Sequence, residues 1–289
     1  MSSPAADDPR PERAFNVTAL KWNTCAWLLL PVLVFMAGWM HWYAAIPLAA
    51  LMAAGLGLAP QRRKEPPERE PLPAFPLFNR SSFLVLAAFI ALMALSGWGE
   101  WVNQHPDHTV RNACLRELVA SPWPVVFPDG DVLIYNTGFW MVPALAGKVA
   151  GMGVARAFVV LWGAWGLFLV WLWLCVFSGR RSLLLALLMV MFGSLLNFQC
   201  WLGLDLFRLH YFGTAEQIMC SANASIPVML FFIFLASGRM PLHWMPLLFA
   251  ATAFYSPLAA LGGLPLAACQ WARQCKDGLS PWHSPVSYT

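Results

Sequence analysis

Long apolar runs separated by short polar segments dominate this sequence. The first run extends over residues 24–60, nearly twice the roughly 20 residues that one membrane-spanning helix requires. Only 11% of the residues are charged, whereas soluble domains carry about 25%. Segments in lipid must satisfy their backbone hydrogen bonds internally, as helices do. The sequence therefore predicts an all-α, polytopic helical membrane protein with about seven or eight transmembrane helices.

The basic residues predict the orientation of the chain in the inner (plasma) membrane. Residues 1–20 are polar and Pro-rich, which indicates a disordered cytoplasmic tail, and residues 61–80 form a basic, Pro-rich loop that the positive-inside rule places in the cytoplasm. Between them, residues 21–60 are predicted to form a transmembrane hairpin. Its turn is marked by interfacial aromatic side chains, namely Trp39, His41, Trp42 and Tyr43. The basic residues cluster where cytoplasmic loops are predicted, so the net positive charge does not indicate nucleic-acid binding. We expect the lipid bilayer as a partner and no nucleic acid.

Residues 81–272 are predicted to form the membrane core, followed by a polar C-terminal tail at 273–289. Two external loops are expected in this core, at about residues 99–156 and 201–222. The predicted spans are Ser82–Trp98, Ala157–Phe177, Leu183–Cys200, Ala224–Ala236, Leu242–Tyr255 and Leu258–Trp271.

The first external loop contains two segments with helical character. Thr109–Ala120 has apolar residues at helical spacing, which predicts an amphipathic helix on the membrane surface; they are Val110, Cys114, Leu115, Leu118 and Val119. Gly138–Gly151 is apolar but too short to span, and it contains Pro143. It is predicted to be interfacial or re-entrant.

The polar side chains of the two external loops are the candidates for chemistry, because hydrocarbon tolerates few such groups. The first loop offers Asp107 and Arg111, and the second offers Asp205, Arg208, His210 and Glu216. We expect the two loops to face each other across the mouth of the helical bundle. A carboxylate beside cations suits a general base acting on a hydroxyl, and Arg, Lys or His suits a phosphate leaving group.

Each of these candidates also has a structural alternative. Asp107 precedes the predicted surface helix and could cap its N-terminus; this is compatible with catalysis, since a helix N-terminus favours negative charge. Asp205 and Arg208 have the i, i+3 spacing of a helical ion pair, and His210 could be an interfacial side chain. Residues 128–131, with the sequence Pro-Asp-Gly-Asp, favour a turn.

No metal-ligand cluster, nucleophile elbow or phosphate-binding glycine loop occurs in the sequence. We therefore predict no cofactor, and a divalent metal is not indicated. The seven cysteines are scattered without a C-x-x-C motif. Cys200 and Cys220 could form a disulfide if their side of the membrane is oxidising.

Four segments carry a resemblance to known proteins: DHTVRNACLRELVASPWPV, VLIYNTGFWMVPALAGKVAG, GTAEQIMCSANASIP and FYSPLAALGGLP. They resemble segments of a group of bacterial multi-span membrane proteins, and the layout is similar to that of the GT-C glycosyltransferase superfamily. That superfamily comprises integral membrane enzymes that use polyprenyl-phosphate sugars and carry a catalytic Asp and surface helices in a large external loop.

The resemblance implies that Asp107 is the catalytic base of an inverting sugar transfer from a polyprenyl-phosphate donor to an extracytoplasmic acceptor. It also implies a lipid-facing wall beside the base, formed by Trp123, Pro124, Tyr135, Gly138, Trp140, Pro143 and Lys148. Arg111, Arg208 and His210 are then the candidates that steady the departing phosphate.

The alternative is a membrane component without catalytic activity, either a transporter or a scaffold subunit of envelope polysaccharide assembly. A transporter would favour ionisable residues within the spans and two repeated halves, and the sequence shows few such charges and no apparent repeat. A scaffold fits the structural alternatives of the candidate residues. The donor sugar, the acceptor and the oligomeric state stay open.

Overall fold

The computed structural model describes residues 17–57, 80–180, 182–193 and 213–276. Within these ranges the chain is all-α, as predicted, with one isolated β-bridge between Val126 and Val132. The helices of these ranges are α1 (Val17–Trp39), α2 (Trp42–Gly57), α3 (Arg80–Leu95), α4 (His108–Ala120), α5 (Gly138–Ala150), α6 (Met152–Ser178), α7 (Leu183–Met191), α8 (Thr214–Ala236), α9 (Met245–Tyr255), α10 (Pro257–Lys276) and a short 3-10 helix at Leu242–Trp244.

Three of these helices are long and apolar enough to cross a membrane. They are α1 with 23 residues, α6 with 27 and α8 with 23. Helices α2 and α3 are also apolar but have 16 residues each, fewer than the roughly 20 that a span requires. The membrane character of the chain is therefore supported by three helices, and the total of seven or eight spans stays a prediction.

Helix α6 lies at the centre of the bundle, in contact with α3, α5 and α8. Small residues on α6 allow the close approach. A Cβ atom on Gly166 would lie 2.5 Å from Cγ2 of Ile226 on α8, and one on Gly163 would meet the Met93 side chain of α3. The positions of α3 and α8 around α6 thus depend on two glycines.

A column of aromatic rings joins α1, α6 and α9. Trp27 stacks between Trp162 and Tyr255, with ring centroids 5.2 and 5.4 Å away. Its indole N–H donates to the carbonyl of Trp162 at 3.1 Å, and the Tyr255 hydroxyl donates to the carbonyl of Trp27 at 2.8 Å. Buried aromatic residues with a polar atom usually find such partners; Trp27 and Tyr255 have them, whereas the buried Nε1 of Trp162 has none.

Helix α5 is a short helix inside the bundle. It has 13 residues, of which eight are buried, and Gly151 turns the chain into α6 with φ at +90°. A Cβ atom on Gly147 would lie 2.7 Å from both Ala155 of α6 and Val119 of α4. The segment is too short to span, as predicted, and the choice between an interfacial and a re-entrant position stays open.

Several predicted boundaries are wrong. The predicted tail at 1–20 is helical from Val17 onward, and residues 1–16 lie outside the described ranges. The first four residues of the predicted polar tail, 273–276, belong to α10, which continues to Lys276. Of the predicted loop at 61–80 only Arg80 is described, and it begins α3.

The largest boundary correction concerns the second external loop, predicted at residues 201–222. Residues 214–222 belong to α8, and 201–212 lie outside the described ranges. Within the described part, the polar residues after Gly213 begin a helix instead of continuing a loop. Glu216 accepts a hydrogen bond from the backbone N–H of Gly213 at 3.0 Å, the reciprocal contact of a helix-capping box.

Candidate functional site

The loop after α3 is tied to α4 by side-chain amides. Gly97 adopts a φ of +92°, which favours glycine, and its carbonyl accepts a hydrogen bond from the amide of Gln104. The oxygen of that same amide accepts from Asn112 of α4 at 2.7 Å. The turn and the surface helix are therefore one hydrogen-bonded unit.

Three side chains of this unit donate to three consecutive backbone carbonyls of α8. The indole of Trp98 donates to Ile218 at 2.8 Å, and Nε2 of His108 lies 3.0 Å from the carbonyl oxygen of Met219. The guanidinium of Arg111 donates to the carbonyl of Cys220. We call Trp98, His108 and Arg111 the carbonyl clamp.

The clamp sits where α8 is broken. Ser221 has non-helical dihedral angles inside α8, with φ −146° and ψ 36°. A break of this kind deprives the carbonyls of the preceding turn of their usual amide partners, and the clamp supplies donors to them. The described parts of the two predicted polar intervals are thus in direct contact.

The clamp residues are also packed against one another. His108 is fully buried with its ring edge-on to Trp98 at 4.8 Å, and the Arg111 guanidinium lies 5.6 Å from the Trp98 ring centre, within cation–π range. Burial lowers the pKa of His108. Because a carbonyl can only accept, the proton of the neutral ring lies on Nε2.

Most contacts of the Arg111 side chain are therefore structural contacts with α8. Its side chain is 11% exposed, and besides Cys220 it contacts Oγ of Ser221 at 3.5 Å. One terminal nitrogen also lies 3.9 Å from Oδ2 of Asp107. The predicted role of Arg111 in binding a substrate phosphate has to compete with these contacts.

Asp107 occupies the N-cap position of α4, but its side chain makes no capping hydrogen bond. This contradicts the capping alternative. The side chain is 53% exposed, and its Oδ2 lies 3.6 Å from Nδ1 of His105. The carboxylate thus points into solvent, at the positive end of the helix dipole, with a guanidinium and an imidazole nearby.

Two predicted wall residues, Trp123 and Lys148, lie together at the opposite end of α4. The Trp123 indole donates to the carbonyl of Leu118 at 2.8 Å. Lys148 donates to the carbonyls of Val119 and Ser121, and its Nζ lies 5.0 Å from the Trp123 ring centre. These contacts satisfy the free carbonyls of the helix C-terminus.

The other predicted site residues divide into two groups. Tyr135 is partly exposed, with its ring 5.5 Å from that of Trp140, and Glu216 caps α8 as described above. Asp205, Arg208 and His210 lie outside the described residues, so their predicted roles stay predictions. Cys200 also lies outside them, so the predicted disulfide with Cys220, which is buried, stays open.

A second polar cluster was missed in the sequence. Oε2 of Glu100 accepts hydrogen bonds from Arg116 at 2.8 Å and from Arg156 at 2.6 Å. The Glu100 side chain is only 10% exposed, its Oε1 has no partner, and its φ is +59°, a left-handed value that is rare outside glycine. We call these three residues the Glu100 cluster.

Only a weak signal in the sequence points to the Glu100 cluster. Glu100 follows an apolar run directly, and an ionisable group at such a boundary is unusual. Its partners are 16 and 56 residues away, however, so no local spacing connects the three. Among the described residues, no group of three or more His, Cys, Asp and Glu side chains could hold a metal ion.

No protein-family model matches this chain, and neither a curated protein nor a solved structure matches it. The resemblance to GT-C enzymes therefore rests on the quoted segments alone. The described fold defines a helical protein with three helices able to cross a membrane, whose loop after α3 docks on a break in α8.

Proposed function

We propose that this chain is a polytopic inner-membrane protein, with its N-terminus in the cytoplasm, that transfers a sugar from a polyprenyl-phosphate donor to an extracytoplasmic acceptor. The three apolar helices support the membrane part of the proposal. The charge distribution in the sequence supports the orientation. The catalytic part is carried by one observation, the environment of Asp107.

That observation is a contrast with the neighbours of Asp107. His108 and Arg111, on the same helix, are buried and donate to carbonyls of α8. The Asp107 carboxylate makes no capping bond and is 53% exposed. A half-exposed carboxylate that makes no capping bond and lies 3.9 Å from a guanidinium at a helix N-terminus has the features of an available base.

The proposed reaction is a single displacement. The acceptor hydroxyl gives its proton to the carboxylate of Asp107 while its oxygen forms a bond to the anomeric carbon. The bond between that carbon and the phosphate oxygen breaks, and polyprenyl phosphate leaves with the electron pair, so the configuration inverts. Because a phosphate leaves as an anion, no separate general acid is required. Bulk water then removes the proton from Asp107.

In this scheme Arg111 positions the base, since its Nη2 lies 3.9 Å from Oδ2 of Asp107 while the remaining contacts fix it to α8. Arg208 and His210 remain the candidates for steadying the phosphate. Trp123, Tyr135 and Lys148 remain candidates for the wall along the prenyl chain.

The test is turnover of labelled donors by membranes that contain the full chain and supply endogenous acceptors. The probes are a panel of radiolabelled polyprenyl-phosphate hexoses and pentoses. We expect Asp107→Asn to reduce transfer by about 10²–10⁴-fold, the usual contribution of a general base. Asp129→Asn is the matched control, because Asp129 carries the same charge in the same loop but only caps its turn, accepting from the N–H of Asp131 at 3.2 Å.

Retained transfer in Asp107→Asn would remove the base assignment. The comparison requires equal amounts of folded protein, measured by size-exclusion elution and by the thermal unfolding midpoint in detergent. Since Asp107 is exposed and makes no capping bond, we expect both variants to fold as the wild type does.

A second candidate function is favoured by a different observation. Arg111, Lys148 and Glu216, all predicted to bind substrate, instead hold helix ends or the break in α8. This use of polar residues suits a scaffold subunit of envelope polysaccharide assembly. A scaffold predicts that the wild type turns over no donor in the panel and that Asp107→Asn leaves its function in the cell unchanged.

A further inference from the structure

We propose that Arg116 and Arg156, with Glu100 as their counter-ion, form a binding site for a phosphate group, supplied by the head group of an anionic membrane lipid. The site is separate from the base proposed at Asp107 and does not depend on sugar transfer. It rests on four features of the Glu100 cluster: its charge, its exposure, its place on α6 and its depth in the bilayer.

The first feature is an excess of positive charge. Two guanidinium groups share one oxygen of a single carboxylate, at 2.8 and 2.6 Å, so the three side chains together carry one net positive charge. A guanidinium has five N–H donors, and each of the two arginines contacts Glu100 through its Nη2. Planar donors of this kind match the oxygens of a phosphate.

The second feature is access. The side chains of Arg116 and Arg156 are 53% and 33% exposed, whereas Glu100 is almost fully buried behind them. The space around the start of α6 is also open, because a Cβ atom on Gly151 or Gly153 would meet no other atom within 4 Å. An anion could therefore approach both guanidinium groups and the first turn of α6.

The third feature is that Arg156 lies near the N-terminus of α6, where the first turn carries no acidic residue. Helix N-termini carry partial positive charge, and fold stability alone would favour an acid there. Arg156 adds to this positive potential instead of offsetting it. Helix N-termini with this potential are common phosphate sites, and here Arg156 shares a carboxylate oxygen with the second arginine, Arg116.

The fourth feature is the expected depth in the membrane. Helix α6 is long and apolar enough to span a bilayer, so its first turn falls near the head groups, where lipid phosphates lie. Val149 and Val154, next to this turn in sequence, are exposed. Exposed apolar side chains beside a cationic site suit a ligand with acyl chains more than a free anion.

Glu100 fixes the two guanidinium groups and opposes the incoming charge. Its left-handed φ of +59° and its unpartnered Oε1 are both unfavourable, and such features often mark functional positions. Replacing Glu100 by Gln keeps an oxygen for the arginines and removes the negative charge. We therefore expect tighter phosphate binding in Glu100→Gln, about threefold to tenfold.

The experiment is native mass spectrometry of the full chain in detergent, titrated with phosphatidylglycerol or with zwitterionic phosphatidylcholine. We expect the wild type to retain phosphatidylglycerol preferentially. Arg116→Gln and Arg156→Gln should each weaken its retention at least about tenfold, the usual cost of a charge-assisted hydrogen bond. Arg180→Gln is the matched control, because Arg180 is an exposed arginine that follows the other end of α6.

The proposal fails if Arg116→Gln retains phosphatidylglycerol as the wild type does, or if Glu100→Gln weakens retention as the arginine variants do. Arg116 is half exposed, so its variant keeps the test valid even if Arg156→Gln does not fold. Competition with inorganic phosphate identifies the source of the bound phosphate group. If inorganic phosphate at equal concentration does not displace the lipid, a lipid head group is supported. If it displaces the lipid, the head-group assignment is overturned. Asp107→Asn should leave lipid retention unchanged, which separates this result from that of the transfer assay.

Discussion

The two halves of α4 contribute polar side chains to two different kinds of contact. At its N-terminal end, the carbonyl clamp is buried, and each of its three side chains donates to a carbonyl of α8. In the second half of the helix, Arg116 belongs to a cluster with one uncompensated positive charge and an unpartnered carboxylate oxygen. The clamp supplies hydrogen-bond donors to the carbonyls before the break in α8, whereas the Glu100 cluster carries one positive charge that no carboxylate of the cluster neutralises.

This difference shows that residue type and position in the loop do not distinguish a charge that fills backbone hydrogen-bonding needs from one that does not. Arg111 and Arg116 lie five residues apart on one short helix, yet only Arg111 fills the hydrogen-bonding needs of a buried backbone. An exposed ion pair contributes little to stability, while a buried acceptor that loses its partner is costly. The comparison therefore predicts distinct stability effects for the two regions.

The largest effect is expected for Trp98→Ala in the clamp. Trp98 is buried and donates to Ile218, so its truncation should lower the free energy of unfolding by about 3–5 kcal/mol. Trp101→Ala, three residues later, removes an exposed ring and should stay within about 0.5 kcal/mol. Denaturant unfolding in detergent measures both, and equal losses would show that the clamp is not a special contact.

The next effect compares the two arginines directly. Arg111→Gln should cost about 1.5–3 kcal/mol, since a charge-assisted hydrogen bond to the Cys220 carbonyl is lost in a buried setting. Arg116→Gln should cost about 0–1 kcal/mol, because Arg116 is half exposed. The same unfolding experiment ranks the two variants, and a reversed order contradicts the division between clamp and cluster.

A smaller effect concerns the packing that holds α4 against the bundle. Gly147→Ala should cost about 1–3 kcal/mol, because the new methyl would lie 2.7 Å from Val119 of α4 and from Ala155. Gly153→Ala places a methyl in open space in the first turn of α6. It should be neutral or stabilise by up to about 1 kcal/mol. Thermal midpoints distinguish the two, and a stable Gly147→Ala variant would mean that close packing at Gly147 is not needed to hold α4 against the bundle.

The smallest effect is a pH dependence from His108. Burial lowers its pKa below the unfolded value; the Met219 hydrogen bond and Asp107 oppose this, and Arg111 and His105 add to it. The unfolded state then binds more protons below about pH 6.5, so stability falls as the pH drops through that value. Unfolding midpoints between pH 5 and 7.5 should show this fall in the wild type and less of it in His108→Gln. His105→Gln, at an exposed position, removes only one of the smaller contributions and should keep most of the wild-type slope.

Much of the helical layout could be predicted from the sequence, because apolar runs and turn residues act locally. The hairpin turn expected at the aromatic residues 39–43 lies between α1 and α2, and the helix predicted at 109–120 begins one residue earlier, at His108. Cys114, Leu115 and Leu118 are buried as expected, although Val110 is exposed. The helical spacing therefore predicted the buried face correctly at these three positions and wrongly included Val110 in it.

The arrangement of the site was harder to predict, because it depends on contacts between distant segments. The sequence around Ser221 gives no signal for the break in α8. The break is explained only by hydrogen bonds from the clamp residues some 110 positions earlier. The Glu100 cluster likewise joins three separate elements. Asp107 was placed correctly before α4, but the direction of its side chain, on which the base proposal depends, could be read only from the structure.

Labelling with a membrane-impermeant maleimide in intact cells tests most directly whether the Asp107 end of the bundle faces outside. We expect Asp107→Cys to gain label above the wild-type background of native thiols without permeabilisation. Arg180→Cys, just beyond the other end of α6, should gain label only after permeabilisation. The opposite pattern would place Asp107 in the cytoplasm and contradict its role as the base of an extracytoplasmic sugar transfer.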